Sequence, residues 1–92
     1  MAYVLKEVTD VLGGPEALGR TVHSRSELMD FVRQGFPFGV LESVMKLTDM
    51  TREEAETVIA LPARTLTRRK QAKHLHPVES DRLLRVARVA VP

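Results

Sequence analysis

The segment at residues 61–77, LPARTLTRRKQAKHLHP, decides the fold and poses the functional question. No acidic residue interrupts its five basic side chains, which are Arg64, Arg68, Arg69, Lys70 and Lys73. Leu61 and Leu66 supply an apolar anchor before the basic cluster and another within it. The pattern predicts a short helix that packs through Leu66 and carries its charges on other faces.

A second short helix is predicted immediately before the basic segment, at residues 51–60, TREEAETVIA. Thr51 stands three residues before Glu54, which is the capping-box spacing that begins a helix. Ala60 is the predicted turn residue, although alanine, unlike glycine, does not easily adopt positive φ. The predicted buried face consists of Ala55, Val58 and Ile59. Two short helices joined by a tight turn, the second one basic, form a helix-turn-helix.

The amino-terminal part of the chain also shows helical spacing. An apolar stripe in residues 3–12 ends at the breaker Gly13-Gly14-Pro15, which a short turn, PEAL, follows. Ser24 and Glu27 form another capping-box pattern, and the helix that they begin ends at Gly35. The first stripe consists of Val4, Leu5, Val8, Val11 and Leu12, and the face of the second helix of Leu28, Phe31 and Val32.

Two prolines, Pro37 and Pro77, are predicted to open further helices, because the N–H that proline lacks has no partner at that position. The stripes that follow them are Val40, Leu41, Val44 and Leu47, then Leu83, Leu84, Ala87 and Ala90. No useful stretch alternates with period two. The sequence therefore predicts an all-α fold, a small helical domain of about five helices. We expect residues 1–36 to form an amino-terminal helical region that offers a dimer surface, and residues 37–92 to form the helix-turn-helix DNA-binding domain.

The basic helix has a predicted division of roles on DNA. With Leu66 pointing inward, a rotation of about 100° per residue places Arg64 and Arg68 on the opposite side, with Gln71 nearby. In the major groove arginine pairs best with guanine and glutamine with adenine, so these three side chains are predicted to read bases. The predicted phosphate contacts are Thr65, Thr67, Arg69, Lys70 and Lys73.

Composition narrows the other possibilities. The 92 residues carry a net charge of +2 and no cysteine, which excludes disulfides and thiolate metal sites. One Tyr and no Trp argue against a stacking platform for single strands. No apolar run approaches the roughly 20 residues of a membrane span, and the amino terminus lacks a signal-peptide pattern. We expect a cytoplasmic protein without a membrane partner.

The sequence offers little for catalysis. His74 and His76 lack a third metal ligand nearby, and they are interpreted as exposed histidines of a basic loop. His23 stands beside Ser24 without an acidic residue at a readable spacing. The GGPEALG stretch lacks the Lys-Ser/Thr pair of a phosphate loop. We expect no enzyme activity, no cofactor and no metal.

Residues 35–89 resemble the DNA-binding part of Xre/MbcA/ParS-type antitoxins, the partners of RES-domain toxins in type II toxin–antitoxin pairs. The resemblance extends from about Leu12 to the carboxyl terminus. The motifs that carry it are Gly35-x-Pro37, Arg64-Thr65-Leu66-x-Arg68-Arg69 and Leu75-x-Pro77-x-Glu79-Ser80-Asp81-Arg82-Leu83-x-Arg85.

The resemblance implies an antitoxin that binds its toxin, blocks the toxin's active site and represses its own operon as a dimer. The RES toxins resemble ADP-ribosyltransferases and act on NAD or on a protein target. Family members usually continue into a further helical domain that neutralises the toxin, whereas this chain ends at Pro92. Both a truncated form and a natural short form remain open. His76 stands where the family tends to have serine, which predicts weaker helix capping.

A helical protein-interaction module is the alternative interpretation. The first two helices would then form a dimer surface, and the basic helix would be solvated charge or would meet an acidic partner. In a dimeric DNA binder, by contrast, the two recognition helices are expected about 34 Å apart, one turn of the duplex.

Overall fold

A computed structural model of the chain describes residues 4–91. It contains seven α-helices: α1 Leu5–Val11, α2 Gly14–Leu18, α3 Arg25–Gln34, α4 Phe38–Thr48, α5 Arg52–Val58, α6 Ala63–Ala72 and α7 Pro77–Ala90. The described residues form no β-strand, and the all-α prediction is confirmed. The count exceeds the expected five, partly because the PEAL turn is the five-residue helix α2. Tyr3, in the first predicted helix, lies outside the described residues.

The longest helix, α7, organises the core. It packs against α1, α3 and α4, and α2 packs against α4. Completely buried side chains from four helices meet there, with one residue that caps a helix: Val8 of α1 and its C-cap Leu12, Leu28 of α3, Leu41 and Val44 of α4, and Leu83 and Ala87 of α7. The predicted inner face of α3, with Phe31 and Val32, is confirmed. Val8 and Leu12 of the first predicted stripe are thus covered within the chain.

Three predicted apolar positions lie outside this core. Val4 in the first stripe is 57% exposed, Val58, which was expected to face inward, is 48% exposed, and Leu47 in the α4 stripe is 61% exposed. Val58 and Leu47 lie within the last two residues of their helices. Helical periodicity therefore identified the apolar face of each helix, but not the residue at which the burial of that face ends.

Helix capping follows the sequence closely. Ser24 Oγ accepts the Glu27 N–H at 3.1 Å, as its spacing predicted. Thr51 and Glu54 form a complete capping box, with distances of 3.1 and 3.0 Å, and these hydrogen bonds lower the pKa of the Glu54 carboxyl. Pro77 is the first residue of α7 as expected, whereas Pro37 immediately precedes α4 as its N-cap.

Hydrogen bonds between two loops tie α6 to the rest of the domain. The α3–α4 loop (residues 35–37) and the α6–α7 loop (residues 73–76) run antiparallel and form one β-bridge, Pro37 with His74; we call this the loop junction. The Leu75 N–H donates to the Phe36 carbonyl at 2.8 Å, and the Phe38 N–H donates to the Lys73 carbonyl at 2.9 Å. The junction therefore holds both ends of the α4–α6 segment together.

Ser80 joins α7 to the same junction. Its hydroxyl accepts the Phe36 N–H at 2.8 Å and donates to the His76 carbonyl at 2.9 Å, and the side chain is completely buried. Gly35 permits the close approach of the two loops, because a Cβ there would meet the Leu75 carbonyl oxygen. Its φ of +92° also favours glycine.

The loop junction is tested by Gly35→Ala. The added methyl group would collide with the backbone of Leu75 and would strain a positive φ, so we expect the free energy of unfolding to fall by about 2 kcal/mol or more in urea denaturation. Gly39→Ala is the matched control, because a Cβ at Gly39 meets nothing within 4 Å. Within helix α4 alanine should raise stability by about 0.5–1 kcal/mol. Equal effects of the two substitutions would contradict this account of Gly35.

Candidate nucleic-acid interface

Helices α5 and α6 form the predicted helix-turn-helix. All four apolar anchors expected for it are buried: Ala55, Ile59, Leu61 and Leu66, each no more than 6% exposed. Pro62 immediately precedes α6 as its N-cap residue and presets the backbone there. Leu66 is the only residue of α6 that is buried, so most of this helix is presented to solvent.

The turn between the two helices adopts the conformation that alanine was expected to resist. Ala60 has a φ of +56°, and the Leu61 N–H donates to the Glu56 carbonyl at 2.9 Å, which is the Schellman end of a helix. A left-handed alanine costs about 1 kcal/mol. Burial of Leu61 and Ile59 on either side of Ala60 offsets that cost.

The outer face of α6 is basic and exposed. Arg64 and Arg68 are both exposed, as is Gln71 one turn further on. The Arg68 Nη2 donates to Thr65 Oγ1 at 3.4 Å, and the Thr67 hydroxyl donates to the backbone of Ala63 at 3.1 Å. Of the remaining predicted contacts, Lys70 and Lys73 are exposed and Thr65 is half-buried. Except for Arg69, the structure therefore brings the predicted DNA-contacting side chains to solvent along one helix and its carboxyl end.

Arg69 lies elsewhere, between α6 and the first turn of α7. Its Nε and Nη2 donate to the two carboxylate oxygens of Glu79 at 2.8 and 3.0 Å, and Nη2 also lies 3.0 Å from His76 Nδ1. The two charged side chains are only 14% and 9% exposed. This is the bidentate geometry in which arginine pairs most strongly with a carboxylate.

Glu79 has two structural roles in this arrangement. Its Oε1 also accepts the His76 N–H at 2.8 Å, which is the Glu79 half of a capping box at the start of α7. Burial raises the pKa of the Glu79 carboxyl, but the hydrogen bonds from Arg69 and His76, together with their charges, outweigh it and leave the pKa below its ordinary value. The weak capping expected at His76 is thus compensated by Glu79, which the sequence had marked only as part of a motif.

Two further side chains gained a role only from the structure. Ser80 binds the loop junction, and the Arg82 Nη1 donates to the Ile59 carbonyl at 3.2 Å, which links α7 to the turn of the helix-turn-helix. Both stand beside Glu79 in the quoted motif. Two residues apart on a helix, they point to different sides, and no sequence pattern names partners 23 and 44 residues away.

The three histidines lie at the surface. Within residues 4–91 no group of three or more His, Cys, Asp or Glu side chains could hold a metal ion. No helix in this part of the chain is long and apolar enough to span a membrane.

Comparison with known proteins gives one match. The model of the antitoxin Xre-like helix-turn-helix domain matches residues 27–88, from the first turn of α3 almost to the end of α7. No curated protein and no solved structure matches.

The Arg69–Glu79 ion pair predicts a specific acid sensitivity. Because the folded-state pKa of Glu79 is below the ordinary 4.5, its contribution to stability is complete above about pH 4.5 and is lost as pH falls through the folded pKa. Glu79→Gln should cost about 3 kcal/mol of unfolding free energy at neutral pH, because Arg69 keeps a poorly solvated charge without its partner.

The measurement is urea denaturation from pH 3 to pH 7. The cost of Glu79→Gln should shrink toward the acid end, where the parent's carboxyl is protonated as well. Glu16→Gln, on the exposed side of α2, controls for the change in net charge. A cost of Glu79→Gln that stays constant over this pH range would contradict an ionised pair.

Proposed function

The chain belongs to the family of Xre-like antitoxin helix-turn-helix domains, and from this premise we propose that it binds operator DNA and represses the operon of a type II toxin–antitoxin pair. The observation that carries the proposal is the exposed basic face of α6. From residue 57 to residue 78 the sequence contains no acidic residue, so that α6 itself carries no negative charge to repel phosphate.

In the proposed complex α6 lies in the major groove. Arg64, Arg68 and Gln71 project away from Leu66 and are proposed to contact base edges. Lys70 and Lys73, with the hydroxyl groups of Thr65 and Thr67, are proposed to hold the helix on the phosphates. Arg69 was predicted from the sequence to contact phosphate, but in the structure its guanidinium is paired with Glu79, and it is not included among the proposed phosphate contacts.

The partner proposed for the antitoxin is a RES-domain toxin. Support comes from the Arg64–Arg69 and Leu75–Arg85 motifs, together with the family membership of residues 27–88. A reading frame for a RES-domain protein beside the one for this chain is the expected genomic observation. An antitoxin that represses its operon acts where the operon lies, so the proposed location is the cytoplasm.

A homodimer is proposed from an uncovered apolar surface at the carboxyl end of α7. A groove of about 600 Å³ lies there, and its apolar walls include Met50, Val58, Val86 and Val89. Val89 is 86% exposed, and the uncovered Leu47 lines an adjacent groove next to Val11. Exposed apolar side chains gathered in this way are typical of a surface that a partner covers.

A second copy of the chain is the proposed partner. The groove beside Leu47 includes the acidic Glu7, and the larger groove includes the basic Arg82. In the proposed two-fold dimer Leu47 of one copy lies in the larger groove of the other, and Glu7 and Arg82 attract each other across the interface twice, because the same surface serves both subunits. The same surface would serve the alternative function, a protein-interaction module without a DNA target.

DNA binding is tested with Arg68→Ala. Loss of a base contact should weaken binding to the DNA upstream of the chain's own operon by about 1–3 kcal/mol and relax the base preference, as measured by gel shift against point-substituted fragments. The parent's affinity should also fall steeply with salt. Arg33→Ala, which removes an exposed arginine of α3, is the control. Parental affinity of Arg68→Ala would contradict its assignment.

The dimer surface is tested with Val89→Glu. A charge in the centre of an apolar interface should convert the dimer into a folded monomer, because the carboxylate would lose its hydration inside the interface and would draw Arg85, one turn earlier on α7, into a competing pair. Val78→Glu makes the same change at the other end of α7, on a side chain that is 59% exposed, and should leave the dimer intact. Sedimentation equilibrium measures both variants. A monomeric parent, or a dimeric Val89→Glu chain, would contradict the proposed surface.

A further inference from the structure

We infer that Arg69 is a positioning residue of the DNA interface: its ion pair with Glu79 sets the rotation of α6 about its axis, and Arg69 itself contacts no phosphate. The inference rests on the proposed binding of DNA by α6. It assigns a role in DNA affinity to an acidic side chain on a different helix.

The geometry of the ion pair disfavours a phosphate contact at Arg69. Both carboxylate oxygens of Glu79 accept hydrogen bonds from the guanidinium, and His76 Nδ1 lies against the same Nη2. A phosphate that reached Arg69 would lie within a few ångströms of the Glu79 carboxylate and would be repelled by it. With 14% of the side chain exposed, Arg69 also presents little surface to any ligand.

The orientation of α6 needs such a second attachment. Between its two ends, which the turn at Ala60 and the loop junction hold, Leu66 is the only buried residue of the helix, and one apolar contact there resists rotation about the helix axis only weakly. Arg69 lies three residues further on the same side, and its ion pair adds a directional contact about 4.5 Å along the axis. A rotation of about 20° would move atoms at the outer radius of the helix by about 2 Å, well beyond the tolerance of about 0.5 Å for a binding site.

The inference makes a prediction opposite to that of simple electrostatics. Glu79→Gln changes the net charge of the chain from +2 to about +3. On charge alone this change should strengthen the binding of DNA. If Glu79 positions α6 through Arg69, the same substitution weakens the binding of DNA. The helix can then rotate, and Arg64 and Arg68 are no longer held in the orientation in which both contact their bases.

The experiment is a double-mutant cycle of Glu79→Gln and Arg69→Lys in the whole chain. Lysine keeps the positive charge but cannot make the two parallel hydrogen bonds of the guanidinium. The affinity for the fragment upstream of the operon is measured over a range of salt concentrations, and far-UV circular dichroism shows that each variant is folded. Glu16→Gln and Arg33→Lys make the same two chemical changes at exposed positions and serve as controls.

We expect each single variant to bind about tenfold more weakly than the parent, and the double variant to bind no more weakly than either one, because both disrupt one contact. Parental or tighter binding by Glu79→Gln, or losses that add in the double variant, would overturn the inference. If Glu79→Gln does not fold, Arg69→Lys decides: weaker binding supports the inference, and parental affinity with the parental salt dependence overturns it. A parent that does not bind the fragment removes the proposed function as well.

Discussion

The fold depends on the backbone hydrogen bonds of the loop junction. The α3–α4 loop and the α6–α7 loop are both short, and each exposes backbone groups that no helix satisfies. Pairing between Phe36 and Leu75, supported by Ser80, satisfies them within the domain. An unpaired buried N–H would cost as much as a lost hydrogen bond. The small residue at position 35 and the hydroxyl at position 80 are therefore requirements of the same contact.

The junction also explains how a helix with so little apolar packing can present a defined surface. The amino end of α6 is set by the turn at Ala60 and by Pro62, and its carboxyl end by the junction at Lys73. Between these ends only Leu66 is buried, and the Arg69–Glu79 pair adds the polar attachment. The helix is thus held mainly at its ends and along one edge. Its remaining faces are free to carry charge, which a helix buried on a broad face could not do.

Much of this arrangement could be predicted from the sequence, because it depends on local rules. The capping boxes at Ser24 and Thr51 follow from residue spacing, and the anchors Leu61 and Leu66 follow from helical periodicity. The periodicity did not show where the core ends, so the exposure of Leu47 and Val58 was missed. The helix α2 was missed because five residues are too few to show a period.

The inward direction of Arg69 shows a different limit. Three residues separate it from Leu66, which places both side chains on one side of α6. The spacing of Leu66 and Arg69 therefore indicated that Arg69 points inward, but Arg69 was grouped with the other basic residues of α6 and assigned to phosphate with them. The partner, Glu79, lies on the next helix beyond a turn, and its distance from Arg69 depends on the angle between α6 and α7. Residue spacing along the sequence does not give that angle. Only the tertiary fold shows which basic side chains of α6 are exposed to solvent and which one forms an ion pair inside the domain.

The β-bridge between Pro37 and His74 has a consequence for the modularity of the domain. In an antiparallel bridge the two Cα atoms lie only about 4.5–5.5 Å apart. The backbone of the segment from α4 to α6 therefore begins and ends at nearly one point. Segments with adjacent ends are those that tolerate insertion into another protein. The same closure allows the loops between α4, α5 and α6 to change length while α4 keeps its packing against α1, α2 and α7.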